Sequence, residues 1–123
     1  MKRTIFAGLL AGMIWLAGCA TPVPNTPAQA VYAAHGTYVV ALTAAVAYKK
    51  LPNCNTTAGP ALCAKPEIVT QLQKADDEAF KALAVAQTLA RTTTNDTGVK
   101  GAVDEAVRLV GAFSTLATSL RSQ

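Results

Sequence analysis

The chain has 123 residues, 51% of them hydrophobic and 15% charged, with a formal net charge of +4. That length holds one domain, and the composition is too apolar for a chain disordered throughout. Lys2 and Arg3 stand at the extreme N-terminus; setting these two aside from the eleven basic residues leaves nine against seven acidic ones. No basic run or basic-aromatic stripe remains, which excludes an electrostatic footprint for nucleic acid.

Met1-Lys2-Arg3 is a short positive head. Ile5 to Ala17 is an apolar stretch of thirteen residues interrupted only by Gly8 and Gly12. A charged head, a short apolar core and small residues after it form the pattern of a secretory export signal. A helix crossing the hydrocarbon of a bilayer needs ~20 apolar residues, so this stretch is too short to be a permanent span. Beyond Cys19, the run Ala20-Thr21-Pro22-Val23-Pro24 stops a helix rather than extending one.

The run Leu16-Ala17-Gly18-Cys19 resembles the lipobox of bacterial lipoprotein precursors. The resemblance covers only the first twenty residues. It implies that the Cys19 thiol takes a diacylglycerol as a thioether and that a peptidase cuts between Gly18 and Cys19. It also implies that the new amine receives a further acyl chain such as palmitate. The thiolate is the nucleophile such chemistry needs, and two or more acyl chains anchor a protein stably where one does not. In the lipoprotein family an Asp directly after the lipidated Cys commonly retains the protein in the inner membrane. Here that residue is Ala20. In a cell with two membranes the resemblance therefore implies the inner leaflet of the outer membrane, facing the periplasm. Apart from the covalent lipid, no cofactor is expected.

Cys54 and Cys63 remain. Export would place them in an oxidising compartment, where disulfides persist. They flank Asn55 to Leu62, which contains the turn signal Gly59-Pro60. A metal or redox pair is the alternative. Zinc wants four ligands, whereas His35 is the single histidine, and the spacing is wider than a Cys-x-x-Cys motif. The pair is expected to form a structural disulfide.

Residues 19–26 carry Pro22 and Pro24, with Pro27 just beyond, and read as a stiff extended tether. At ~3.1 Å per residue it holds the following domain close to the membrane. A first helix is expected from Thr26 as N-cap, with Pro27 at its first position. Its apolar stripe reads Val31, His35, Tyr38, Leu42 and Ala45, widened by Val39 and Val46. Lys49 and Lys50 suit the dipole at its end, and Pro52 closes it. The loop from about Leu51 to Lys65 is long for a helix connection; the cysteine pair would tie it down. A second helix starts at Pro66 with Glu67 in its first turn, and buries Ile68, Leu72, Ala75, Ala79, Leu83 and Ala86. Val69 and Phe80 flank that stripe, and Asp77 stands four residues before Lys81 on another face. The pattern fades at Thr92-Thr93-Thr94-Asn95.

Asp96 or Thr97 is expected to cap a third helix. Val99, Val103, Ala106, Val110, Phe113, Ala117 and Leu120 then alternate spacings of four and three, a heptad-like seam typical of bundles. No strand pattern appears. The expected fold is all-α, a three-helix antiparallel bundle over residues 27–123 with a disulfide-closed loop between helices 1 and 2. It would follow a signal peptide over residues 1–18 and a tether over 19–26. Much of the apolar content is alanine, which buries little area, so the core is expected to be thin.

Little in the sequence carries chemistry. His35 lies on an apolar stripe, with the carboxylates on the outer faces of the other helices, which favours a structural histidine over a general base. Asp76-Asp77-Glu78 points in three directions around a helix and reads as a solvated face rather than a cation site. Tyr32 and Tyr48 lie off the stripe. They are candidates for a partner surface, although packing at helix edges or against the cysteine loop is the simpler reading. Asn55-Thr56-Thr57 and Asn95-Asp96-Thr97 match glycosylation sequons; beside a bacterial lipobox they read as ordinary loops. The chain is expected to be a non-enzymatic, lipid-anchored module of the cell envelope, structural or protein-binding, with an envelope protein or a second copy as partner and no small-molecule substrate. A small envelope effector, such as an inhibitor of an exported enzyme that recognises its target through the cysteine loop, is the alternative.

Overall fold

The computed structural model describes residues 24–54, 62–92 and 96–120. Three helices, α1 (Pro27–Lys49), α2 (Pro66–Thr92) and α3 (Asp96–Ser119), pack as an antiparallel bundle. The only extended pairing among these residues is an isolated bridge between Asn53 and Ala64. The expected export signal, the expected cleavage point at Gly18 and Cys19, and the asparagines of both sequons (Asn55 and Asn95) lie outside the described residues.

Local chemistry sets the helix ends. The extended Thr26 caps α1 through its side-chain oxygen, which accepts from the Gln29 amide at 3.3 Å, and Pro27 follows at a position that lacks an intrahelical partner anyway. Gln29 Oε1 reaches back to accept from the Asn25 amide at 2.9 Å, so two otherwise unpaired N–H groups are satisfied reciprocally. At the far end the Leu51 amide donates to the Tyr48 carbonyl at 3.0 Å, and Pro52 stops the chain from continuing. The Lys65 carbonyl accepts from both Ile68 and Val69, launching α2. Helix α3 begins at Asp96, which puts both expected caps, Asp96 and Thr97, inside the helix.

The core lies along the bundle axis. Helix α3 contributes Val99, Val103, Ala106, Val110, Phe113 and Ala117, all buried as the seam predicts, with Leu120 half-buried. Helix α2 contributes Leu72, Ala79, Leu83 and Ala86, with Ile68 and Ala75 half-buried. Half of the buried side chains are alanine, and Phe113 and Val110 are the largest that are fully enclosed. The charges of α3 stay on its outer face. On α3, Lys100 pairs with Asp104 at 2.6 Å, and Arg108 donates to both carboxylate oxygens of Glu105 at 2.8 and 2.6 Å. The Arg108 hydrogen bonds hold the Glu105 carboxyl below its ordinary pKa.

Helix α1 departs from its expected phase. It buries Val31, Ala34, Tyr38, Ala41 and Ala45, whereas His35, Val39 and Val46 are exposed and Leu42 is half-buried. The expected stripe is therefore corrected at His35, whose place Ala34 takes, and at Val39 and Val46, which do not widen it; Leu42 packs against the core beside the buried Ala41. The physical reason is that α1 is apolar around nearly its whole circumference, so no polar face fixes its rotation. The alanine positions let the helices approach closely, and the imidazole stays in water.

Candidate functional site

The polar contact that links α1 to α2 is built on Tyr38. Its phenol donates to Oδ1 of Asp76 at 2.6 Å, across thirty-eight positions of sequence. The ring is buried and packs against Phe113 with centroids 5.8 Å apart, against Phe80 at 6.4 Å, and edge-on to His35 at 6.2 Å. Burial, the hydrogen bond to Asp76 and the negative charges of Asp76 and Asp77 push the Tyr38 pKa up to about 12. Asp76 is thus half-buried and partnered, which corrects its reading as part of a solvated acidic face; Asp77 and Glu78 are exposed, as that reading expected. Its position carried the signal: it stands four residues after Leu72 and three before Ala79, in register with the buried stripe of α2.

A second cluster holds the loop between α1 and α2. Cys54 and Cys63 form a disulfide with Cα atoms 4.9 Å apart, as expected from the sequence. Beside it the Cys54 amide donates to the Ala64 carbonyl at 3.0 Å, and the Ala64 amide donates to the Pro52 carbonyl at 2.8 Å. Ala64 is buried. Tyr48 sits half-buried at the end of α1, and its phenol oxygen accepts from the Lys65 amide at 3.0 Å. Tyr48 therefore packs against the cysteine loop, and its hydroxyl is engaged within the chain. Tyr32, the other tyrosine considered for a partner surface, is 84% exposed on α1.

Beside Tyr32 an open, mainly apolar groove of about 910 Å³ runs along α1 to Ser114 of α3, lined by Pro24, Ala28, Ala33, Gly36 and Val40 with the polar Gln29 and Thr37. Val39, Val40 and Val46 add exposed apolar surface along the same helix. By length and composition α1 is also long and apolar enough to cross a membrane, but its buried residues and the Tyr38–Asp76 bond commit one side of it to α2 and α3. A smaller groove between α1 and α2 brings His35 and Tyr32 near Gln87 and Arg91. His35 is exposed there, and no carboxylate lines that groove. Among the described residues no three of His, Cys, Asp and Glu converge as a metal site. The polar side chains that the fold brings together between helices serve packing: Tyr38 with Asp76, and Tyr48 with the Lys65 backbone.

No protein-family model, no curated protein and no solved structure matches the chain.

Proposed function

We propose that the chain is the precursor of an envelope lipoprotein whose finished form begins at Cys19. Acyl chains on that residue would hold a helical module at the periplasmic face of a membrane, where it acts by structural support or protein binding rather than by catalysis. The observation that carries this reading is the run Leu16-Ala17-Gly18-Cys19 at the end of a short apolar core headed by Lys2-Arg3. Two features of the fold support it. The Cys54–Cys63 disulfide suits an oxidising compartment. The bundle starts at Pro27, immediately after a proline-bearing run that suits a tether. With α1 committed to the bundle, membrane residence would rest on the two or more acyl chains.

The test is metabolic labelling with palmitate in a bacterial host. The natural chain should take up label and sediment with the envelope. Cys19→Ser should lose both, while Cys54→Ser should keep them. Equal labelling of the natural chain and Cys19→Ser would overturn the proposal.

A further inference from the structure

We infer that the outer face of α1 is a lipid-contacting surface, lying flat on the phospholipid headgroups beside the anchor; this inference rests on the lipoprotein reading above. Three observations lead to the occupant. The first is where the described chain begins. Pro24 lines the groove formed by Ala28, Tyr32, Gly36 and Val40, and it stands five positions after Cys19. Five residues reach at most ~18 Å, so a lipid on Cys19 would lie within a bundle's width of this face.

The second observation is charge. Helix α1 carries no charged residue before Lys49, and Lys50 follows it. All seven acidic residues of the chain fall in α2 and α3. The groove on the outer face of α1 therefore holds no carboxylate to repel anionic headgroups, and Asp104, which shares a neighbouring groove with Pro24, is paired with Lys100. Tyr32, 84% exposed, has the ring-and-hydroxyl character that settles at a membrane interface.

The third is shape. The exposed Tyr32, Val39, Val40 and Val46 lie along one helix ~35 Å long and ~10 Å across. Such a strip is large enough to orient a domain whose acyl chains already supply the attachment.

The sole tryptophan, Trp15, lies in the segment expected to be removed, so a Tyr32→Trp variant of the processed chain carries a single indole, excited selectively over its tyrosines. The lipidated variant, its mass verified, is reconstituted in phosphatidylethanolamine–phosphatidylglycerol vesicles, with Lys81→Trp on the outer side of α2 as control. The expected result is a blue-shifted indole at position 32 that loses most of its emission to lipids brominated on the acyl chain, while the indole at position 81 is unaffected. Vesicle-bound, lipidated protein whose position 32 stays open to iodide and unquenched by brominated lipid would overturn the inference and leave the anchor standing. Shielding from iodide without quenching by lipid would also overturn it, in favour of a second copy or another protein. A product that carries no lipid and stays off the vesicles would overturn the anchoring reading and this inference together.

Discussion

The Tyr38 phenol on α1 donates a 2.6 Å hydrogen bond to Asp76 on α2, and this bond fixes the rotation of a helix whose apolar residues alone do not. Val31, Tyr38 and Ala45 belong both to the expected stripe and to the observed one, but between the first two Ala34 is buried in place of His35. Tyr38→Phe keeps the ring packing and removes the donor, leaving a half-buried carboxylate short of a partner. A hydrogen bond to a charged group contributes ~1.5–3 kcal/mol. The variant should be destabilised by about that amount in urea unfolding followed by helical circular dichroism.

The same bond makes stability depend on alkaline pH. The Tyr38 phenol ionises near its ordinary value of 10.0 in the unfolded chain and at about 12 in the bundle. The folded state therefore holds the proton to higher pH. This contribution is fully present below pH 10 and is lost as pH rises towards 12. The urea midpoint of the natural protein should fall more steeply across that window than the midpoint of Tyr38→Phe. Parallel declines in the two would show that Tyr38 is not the group responsible.

The disulfide and the backbone bridge beside it close the same loop. Cutting the Cys54–Cys63 bond with the double substitution Cys54→Ser, Cys63→Ser should cost ~2–3 kcal/mol on loop entropy. The helical signal should survive, because the core packs along α1, α2 and α3 and not on the loop. Tyr48→Phe removes the acceptor of the Lys65 amide. In the double serine variant it should increase protease cutting between the two helices, read by mass spectrometry of the fragments.

Close helix approach depends on small residues. Ala79 and Ala86 of α2 are wholly enclosed. Inserting leucine at either site overpacks the core, and Ala79→Leu should lose ~1–3 kcal/mol. Truncating the enclosed ring in Phe113→Ala should lose ~3–5 kcal/mol. Unfolding midpoints for both variants beside the natural protein check the pair of values; a stabilised Ala79→Leu would mean that the interface has room the structure does not show.

These contrasts explain what the sequence made legible. In α3 the apolar seam faces Asp104, Glu105 and Arg108 across the helix, and the whole seam from Val99 to Ala117 is buried as read. In α2 the acids and lysines fix the phase equally well, and Asp76 escaped notice because composition marks a carboxylate as exposed, whereas its register placed it at the core's edge. In α1 alanine, valine and glycine occupy every side, so periodicity could not separate Ala34 from His35. The disulfide was legible from the cysteine count and spacing together with the expected export. The bridge beside it, through Pro52, Cys54 and Ala64, is made of backbone groups and leaves no mark in side-chain pattern. The exposed run along α1 was hidden for the same reason as its phase: nothing polar marks where the core stops.

Attachment of the domain through Cys19 is the claim on which the rest of the functional account depends. Intact-mass and N-terminal peptide analysis of the protein purified from a bacterial envelope tests it most directly. The account predicts a chain beginning at Cys19, heavier than its sequence by a diacylglyceryl group and an acyl chain. A chain still beginning at Met1, or one cut at Cys19 with an unmodified thiol, would contradict it.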